Sequence, residues 1–510
     1  MKKTVAIITM ITIVAKIVGF GREMALSFVY GASEISDAYL IANTIPNVIF
    51  GAVSSGLIAA FIPMYSKIRE ESGEIKADRF TNNLVNLLVI KCTMIVLIGI
   101  VFTNQIVKIF ASGFESELLN LTADFTRISL LAIYFMGLAS IFTGYLQLKG
   151  NHVVPALISL SFNFGLISSI FLSSKFNIYM LAIGIPIAAG LKFAIMIPSV
   201  YRMGFRYKLF MSFRDKDLLK MAYITAPVIL GLSVNQLNVL VDRTLASQIT
   251  TGGISALNYA SRLNGFVHGI FVLPAITVLY PSISKLVAEN KMERLKKTLS
   301  ESITGINLLV TPAIIGSIIF ATPIVNLLFG RGSFNEEATV MTSSALVYYS
   351  LGMVSVGLRE LLSRVFYSMQ DTKTPMINAT IGMLLNIALN FWLTRFMGLD
   401  GLAMATSISA TVTLVLMFMS LRSKIGAFGI TNVFKSFLKI LISSLIMGLV
   451  AMLSFSFFST IISNYNVVLL TAIATGTMTY FVVVYFMRIE DVDATIRAIR
   501  KKLNIYPIFR

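Results

Sequence analysis

The stretch RFTNNLVNLLVIKCTMIVLIGIVFTN, residues 79–104, decides the fold class of this chain. From Leu84 to Phe102 it carries a single charged residue, Lys91, among mostly aliphatic side chains. A helix rises about 1.5 Å per residue, so an apolar run of about 20 residues crosses a hydrocarbon core of ~30 Å. Runs of similar length recur along the chain, and together they predict an all-α membrane protein.

The composition agrees with this prediction. Of 510 residues, 56% are hydrophobic and 13% charged, whereas soluble domains carry about 25% charged residues. A single cysteine, Cys92, excludes an intramolecular disulfide, and the two histidines, His152 and His268, are too far apart in sequence to suggest a zinc or redox site.

The apolar runs predict about fourteen transmembrane spans. They lie near residues 4–30, 37–64, 79–104, 122–148, 153–173, 178–201, 217–247, 253–284, 298–328, 336–368, 374–396, 398–421, 432–458 and 465–488.

The basic residues outside these spans alternate from loop to loop. Almost all of them fall in the even-numbered loops, the N-terminus and the tail, and only about four lie in or at the edge of the odd-numbered loops: Lys108, Lys175, Arg331 and Arg395. Basic loops stay in the cytoplasm, so both termini are predicted to be cytoplasmic. This topology accounts for the formal net charge of +18, and we expect no nucleic-acid partner.

An internal repeat organises the spans. Ile35-Ser36-Asp37 parallels Ile254-Ser255-Ala256, and each copy later reaches a Pro-x-x-Ser-Lys sequence, at Pro63 and at Pro281. Parallel repeats are a known transporter plan, with the substrate handled between the halves. The predicted parts are an N-lobe at 1–210 (spans 1–6), a C-lobe at 211–425 (spans 7–12), spans 13–14 at 426–490 and a basic cytoplasmic tail at 491–510.

Among the basic residues inside predicted spans, three have no obvious anionic partner in the sequence: Lys16, Arg22 and Arg262. A charge at bilayer depth costs at least about 2.5–3.5 kcal/mol unless it faces a cavity or a partner. Because intramembrane cations outnumber anions, these residues suggest a cavity for an anionic substrate. A guanidinium favours phosphate, which accepts its forked hydrogen bonds.

Other intramembrane charges are better explained structurally. Arg364 and Glu360 stand four residues apart on one helix face, so we predict that they pair, with Arg359 alongside. For His268 we predict a hydrogen bond to a neighbouring helix and not a role in proton relay.

Four stretches carry a family signature, in order, within about residues 1–420. They are Lys16-Ile17-Val18-Gly19-Phe20-Gly21-Arg22-Glu23; Ser36-Asp37-Ala38-Tyr39 with Ile45-Pro46-Asn47 and Ala60-Phe61-Ile62-Pro63; Asn258-Tyr259-Ala260-Ser261-Arg262-Leu263 with Tyr280-Pro281-Ser282; and Phe366-Tyr367-Ser368-Met369-Gln370-Asp371-Thr372-Lys373-Thr374-Pro375. Together they resemble the MurJ (MviN) family of proposed lipid II flippases, in the multidrug/oligosaccharidyl-lipid/polysaccharide exporter superfamily.

The resemblance implies a transporter, not an enzyme, in the bacterial cytoplasmic membrane. It would move lipid II from the inner to the outer leaflet by alternating access. The lobes would enclose a cationic cavity for the diphosphate and sugars, and spans 13–14 would form a groove for the polyprenyl tail. The implied partners are a polyprenyl-diphosphate-linked glycan, membrane lipids and, further, cell-wall synthesis proteins.

The resemblance also assigns site residues. Arg22 and Arg262 match the family's cavity arginines, Lys16 a further basic position, and Glu23 and Asp37 its acidic positions.

Some family members bind a cation between spans 7, 11 and 12. The comparable positions here are Asp242, Asn386, Asn390 and Thr406, which suggests Na⁺ as the only cofactor-like ion.

Alternatives remain at this point. The second span lacks basic residues common in the family at residues 48–51 and a lysine at Thr44, which leaves open another polyprenyl-diphosphate-linked glycan as substrate. A cation-coupled multidrug exporter would need an acidic cavity, and an intramembrane enzyme would need paired carboxylates or metal ligands, so both are less favoured. Either the membrane potential or a cation could drive transport.

Overall fold

The computed structural model describes residues 2–487, without the side chains of 2–6, 228, 230, 234 and 235. Every regular element within that range is helical, which confirms the all-α prediction. Twelve helices are long and apolar enough to cross a membrane, and a pair bent by 44° makes a thirteenth. Within the described residues this gives up to thirteen spans, close to the predicted number of about fourteen. The predicted basic tail, 491–510, lies outside the described residues.

The chain forms two compact units. The first consists of Met1–Ala256 and Phe329–Ala338. Its helices are α1 (Lys2–Tyr30), α2 (Glu34–Ser72), α3 (Glu74–Val101), α4 (Thr103–Phe110), α5 (Ser116–Ser129), α6 (Ala132–Leu148), α7 (Val153–Lys175), α8 (Tyr179–Ala194), α9 (Ile197–Arg202) and α10 (Lys216–Ile249).

The second unit consists of Leu257–Leu328 and Thr339–Arg510. The remaining helices are α11 (Gly253–Val267), α12 (Leu273–Ala288), α13 (Met292–Ile319), α14 (Ala321–Leu328), α15 (Glu336–Leu351), α16 (Met353–Ser368), α17 (Lys373–Met397), α18 (Leu399–Ile425), α19 (Ile430–Ser459) and α20 (Tyr465–Phe486). Helices α11 and α15 begin in the first unit and continue in the second. The lobes inferred from the repeat stay a prediction.

Helix α2 is the longest element of the first unit, and its start is well defined. Ser33 caps it through a capping box with Ser36, in which each side chain accepts from the other residue's backbone amide. Further along, Gly56 lets α10 approach closely, because a Cβ there would lie 2.9 Å from the Ile229 side chain. The small residues of α2 therefore serve helix packing.

The second unit has its core where α12, α13, α16 and α18 meet. Leu361, Leu362 and Phe366 of α16 are fully buried in it. Between α11 and α12 the helix widens into one π-helical turn, His268–Val272. Such turns re-aim side chains and occur frequently at functional sites.

Large apolar side chains also cover the outside of both units. Leu453 of α19 and Phe481 of α20, for example, are 59% and 65% exposed. Exposing such a surface to water is unfavourable, whereas acyl chains solvate it.

Candidate functional site

Arg22 lies on the face of α1 that packs against α7. Its guanidinium forms an ion pair with Glu23 and donates to Asn163 Oδ1 at 3.2 Å. The Arg22 side chain is 14% exposed and that of Glu23 2%. The sequence indicates no balancing anion for Arg22, whereas in the structure the adjacent Glu23 forms an ion pair with it.

Tyr39 of α2 belongs to the same cluster. Its ring is buried, and it interacts electrostatically with both Arg22 and Glu23. Among the described residues its hydroxyl has no hydrogen-bond partner. A buried hydroxyl without a partner is uncommon, so the cluster retains hydrogen-bonding capacity beside its cation.

Asp37 connects the start of α2 to the start of α11. Its carboxylate accepts from the Gly252 amide at 2.9 Å, from the Ser255 amide at 2.7 Å and from the Ser255 hydroxyl. The residue is 1% exposed. In this conformation both carboxylate oxygens are therefore engaged by protein groups at the beginning of a helix.

The surroundings of Asp37 bring the two repeat copies together. Ser255 donates to Ser36 at 2.9 Å, and these are the two serines that the sequence repeat aligns. Arg243 donates to the Ile254 carbonyl at 3.0 Å and interacts electrostatically with Asp37. A buried carboxylate is tolerable here because hydrogen bonds and a guanidinium surround it.

A second connection forms at the same end of the first unit, where the 329–338 segment meets the end of α1. The Ser333 amide donates to the Phe28 carbonyl at 3.0 Å, and its hydroxyl donates to Val29 at 2.8 Å. Gly31 has φ +63°, and a Cβ there would lie 2.4 Å from the Ser333 carbonyl oxygen. Only glycine fits this close approach. We refer to the contacts of Asp37 and of Ser333 together as the latch.

The other two basic candidates occupy different environments. Lys16 is exposed on α1, six residues before Arg22 in sequence. Arg262 is exposed on α11 and belongs to the second unit.

Two of the charges predicted to be structural, Arg364 and His268, lie close to Glu360. Arg364 lies 3.6 Å from Glu360 on α16, which confirms the predicted pairing four residues apart. His268 Nε2 lies 3.2 Å from Glu360 Oε2, so His268 does contact a neighbouring helix. That histidine opens the π-helical turn, which aims it at α16.

Three of the four candidate cation ligands lie together in the second unit. Asn386 donates to Thr406 at 3.5 Å and to Ser409 at 3.3 Å, and Asn390 donates to Asn386 Oδ1 at 3.1 Å. These side chains offer neutral oxygens, which suit Na⁺ in kind. Asp242, the one charged candidate, belongs to the first unit.

Sequence reasoning missed Asn163 and Ser255 as functional neighbours. Asn163 is 8% exposed within the apolar helix α7, and a lone amide in such a run is a usable signal. Ser255 was aligned with Ser36 by the repeat, but that alignment alone does not indicate a contact.

The chain is similar to known proteins over most of its length. Residues 26–473 match the family model described as lipid II flippase MurJ. The chain is 28% identical over 451 residues to the probable lipid II flippase MurJ of Buchnera aphidicola subsp. Baizongia pistaciae, covering 87% of this chain and 88% of that protein. It is 26% identical over 424 residues to the lipid II flippase MurJ of Burkholderia cenocepacia, covering 81% and 82%.

Solved structures agree. A lipid II flippase MurJ in an inward closed conformation matches with a TM-score of 0.81 and 28% identity, covering 93% of this chain and 97% of that one. An inward-facing multidrug resistance MATE family transporter matches with a TM-score of 0.69 and 14% identity, covering 83% and 98%. The second likeness shows a shared fold alone.

Proposed function

Because this chain belongs to the lipid II flippase MurJ family, we propose that it carries lipid II from the inner to the outer leaflet of the cytoplasmic membrane. The observation that carries this proposal is the match to the family model over residues 26–473. The chemistry of the Arg22 cluster supports it, because a sheltered guanidinium is suited to a diphosphate.

In this mechanism the Arg22 guanidinium binds the diphosphate by charge-assisted hydrogen bonds, and the family resemblance assigns Lys16 and Arg262 to the substrate as well. Glu23 and Asn163 hold the Arg22 guanidinium in place before the substrate arrives. A guanidinium has five N–H donors, so two such contacts leave donors for phosphate oxygens.

Alternating access requires the latch to open. We assign Asp37 to this step rather than to direct substrate binding, because both of its oxygens accept from Gly252 and Ser255. With the positive-inside topology, both termini are cytoplasmic and the latch lies at the outer face. Closing the latch would seal the outer side while the headgroup enters from inside, and opening it would release the headgroup outside.

Two energy sources for transport are compatible with the candidate site residues. An inside-negative potential favours outward movement of an anionic headgroup by about 2.3 kcal/mol per charge per 100 mV. Alternatively, a Na⁺ gradient would drive transport, with the oxygens of Asn386, Asn390 and Thr406 in the second unit as ligands; Asp242 is assigned to this ion by the family resemblance alone. Transport that is independent of Na⁺, or unaffected by Asn386→Ala, would exclude the second drive.

The test is complementation in cells depleted of their own lipid II flippase. The cells express the wild type, Arg22→Ala or Arg359→Ala, and lipid II in the outer leaflet is assayed directly. Arg359→Ala is the matched control, since it removes an intramembrane arginine outside the proposed site. We expect rescue by the wild type and the control, and none by Arg22→Ala at equal membrane abundance.

Two results would contradict the proposal. If the wild type inserts but does not restore outer-leaflet lipid II, the substrate is another polyprenyl-linked glycan. If Arg22→Ala rescues as well as Arg359→Ala, the Arg22 cluster does not bind the substrate.

A further inference from the structure

A polar cleft of about 470 Å³ lies between the start of α13 and the start of α19, within the second unit. It shares no residue with the Arg22 cluster, the latch or the candidate cation ligands. We refer to it as the α13–α19 cleft. Its volume lies in the usual range for a small-ligand site.

Two facing stripes of polar side chains form this cleft. Helix α19 contributes Asn432, Lys435, Ser436 and Lys439, which are three, four and seven residues apart and therefore share one face. Helix α13 contributes a matching stripe with the same spacing, which includes Lys296, Lys297 and Ser300. Two helices thus present hydrogen-bond donors to one volume.

The cleft is electropositive. Four lysines line it against two glutamates, Glu293 and Glu301, and one of these glutamates already pairs with Lys296 at 2.7 Å. Among the described side chains, none caps the first turn of α19, whose N-cap is Gly429, so backbone amides at that end add donors and the positive end of a helix dipole. An anion therefore complements the cleft.

An apolar groove adjoins the cleft on the other face of α19. Ile430, Val433, Phe434 and Phe437 line it, again with helical spacing, and Phe428 lines both groove and cleft. The first three turns of α19 are therefore amphipathic, with a cationic stripe beside an apolar one. A molecule with an anionic head and an apolar chain matches both surfaces.

We propose that the α13–α19 cleft binds the phosphate headgroup of an anionic phospholipid of the inner leaflet, with one acyl chain in the adjoining groove. Basic pockets between helices on the cytoplasmic side are suited to anionic headgroups. The proposal rests on the proposed function only in placing this end of α19 at the inner leaflet. Its role is to anchor α19 and α13 to that leaflet.

The test uses the purified full chain in detergent and native mass spectrometry. Dioleoyl-phosphatidylglycerol and dioleoyl-phosphatidylcholine are titrated separately, and farnesyl diphosphate and inorganic phosphate serve as competitors. The variant is Lys435→Gln with Lys439→Gln. The matched control is Lys285→Gln with Lys291→Gln, which removes the same charge from the same predicted membrane face outside the cleft.

We expect the wild type and the control to prefer phosphatidylglycerol at least tenfold. A lysine near a headgroup contributes about fivefold in affinity, so the double variant should bind roughly 25-fold more weakly. High salt should reduce the preference. Binding in detergent needs neither transport nor orientation, so its failure is distinguishable from failure of the proposed function.

Three results would overturn the proposal. If the variant and the control lose the same affinity for phosphatidylglycerol, binding depends on general surface charge and not on the cleft. If farnesyl diphosphate displaces bound phosphatidylglycerol at a lower concentration than phosphatidylglycerol needs to bind, the cleft is a site for the substrate's diphosphate. Displacement by inorganic phosphate at matched concentration would indicate a free-anion site.

Discussion

Replacing Asp37 by asparagine tests the latch with little change in side-chain volume. The amide oxygen can still accept from the Ser255 backbone. Its NH₂ group, however, would face the Gly252 amide, which now donates to Oδ2 at 2.9 Å. Two donors would then oppose each other in a buried position.

The size of the effect follows from these bonds. A buried donor left without an acceptor costs about 1–3 kcal/mol, and a hydrogen bond to a charged group is worth about 1.5–3 kcal/mol. An amide is also cheaper to bury than a carboxylate, which offsets part of the loss. We therefore expect Asp37→Asn to destabilise the closed latch by about 2 kcal/mol, which makes opening of the latch roughly 30-fold more frequent.

Cysteine labelling measures this opening. Cys92, the lone native cysteine, is replaced by serine, and a single cysteine is placed at Ala256, which is fully buried next to Ser255. When reclosing is fast, the labelling rate by a membrane-impermeant maleimide tracks the open population. We expect Asp37→Asn to label roughly 30-fold faster than its parent.

Glu34→Gln is the matched control, because it removes the same charge from the same first turn of α2 at an exposed position. It should label within about twofold of the parent. If Asp37→Asn labels no faster than Glu34→Gln, the hydrogen bonds of Asp37 do not hold the latch closed, and our assignment is wrong.

Three further predictions concern other parts of the chain. Arg22→Lys should fail in complementation, because an ammonium cannot form the forked bonds of a guanidinium, and normal rescue would show that charge alone suffices. The pKa of Asp371 lies well below its usual range because the Lys424 ammonium stabilises the carboxylate, and hydrogen bonds from Thr374 add a smaller effect. The ionised Asp371 therefore stabilises the fold above about pH 4, and this stabilisation is lost as the pH falls further. Asp371→Asn should lower the melting temperature at pH 7, and by progressively less below pH 4. A difference in melting temperature that stays constant with pH would argue against the Asp371–Lys424 pair. Gly165→Ala should destabilise the first unit by about 1–3 kcal/mol, because the new Cβ would lie 3.0 Å from the Ala188 backbone. A melting temperature equal to that of Gly305→Ala, where a Cβ meets open space, would refute this.

The spans were predictable because hydrocarbon permits few alternatives to a long apolar helix. Their interruptions were not. The predicted span at 122–148 is two helices, α5 and α6, and the one at 336–368 bends by 44° where Gly352 approaches Ser407. Such breaks depend on what packs opposite, which a single hydropathy profile does not contain.

Individual buried charges were easier to identify than their partners. Intramembrane charge alone indicated Arg22, because burying a cation needs a reason. Its acceptor, Asn163, lies 141 residues away, and nothing in local sequence links the two. Asp37 was found by resemblance and assigned to the substrate, yet its bonds are to Gly252 and Ser255. Neighbours across helices are set by tertiary packing, which no local pattern specifies.

The pairing of Arg22 with Glu23 is consistent with a carrier that must return empty. An arginine left alone at bilayer depth would cost at least about 2.5–3.5 kcal/mol each time the substrate departed. In the conformation that the structure shows, the ion pair with Glu23 offsets part of that penalty. A diphosphate carries more negative charge than one carboxylate and offers more acceptor oxygens, so it can compete for the guanidinium. If Arg22 binds the substrate as proposed, the same pair keeps the empty site tolerable in the membrane and still lets a diphosphate displace Glu23 from the guanidinium.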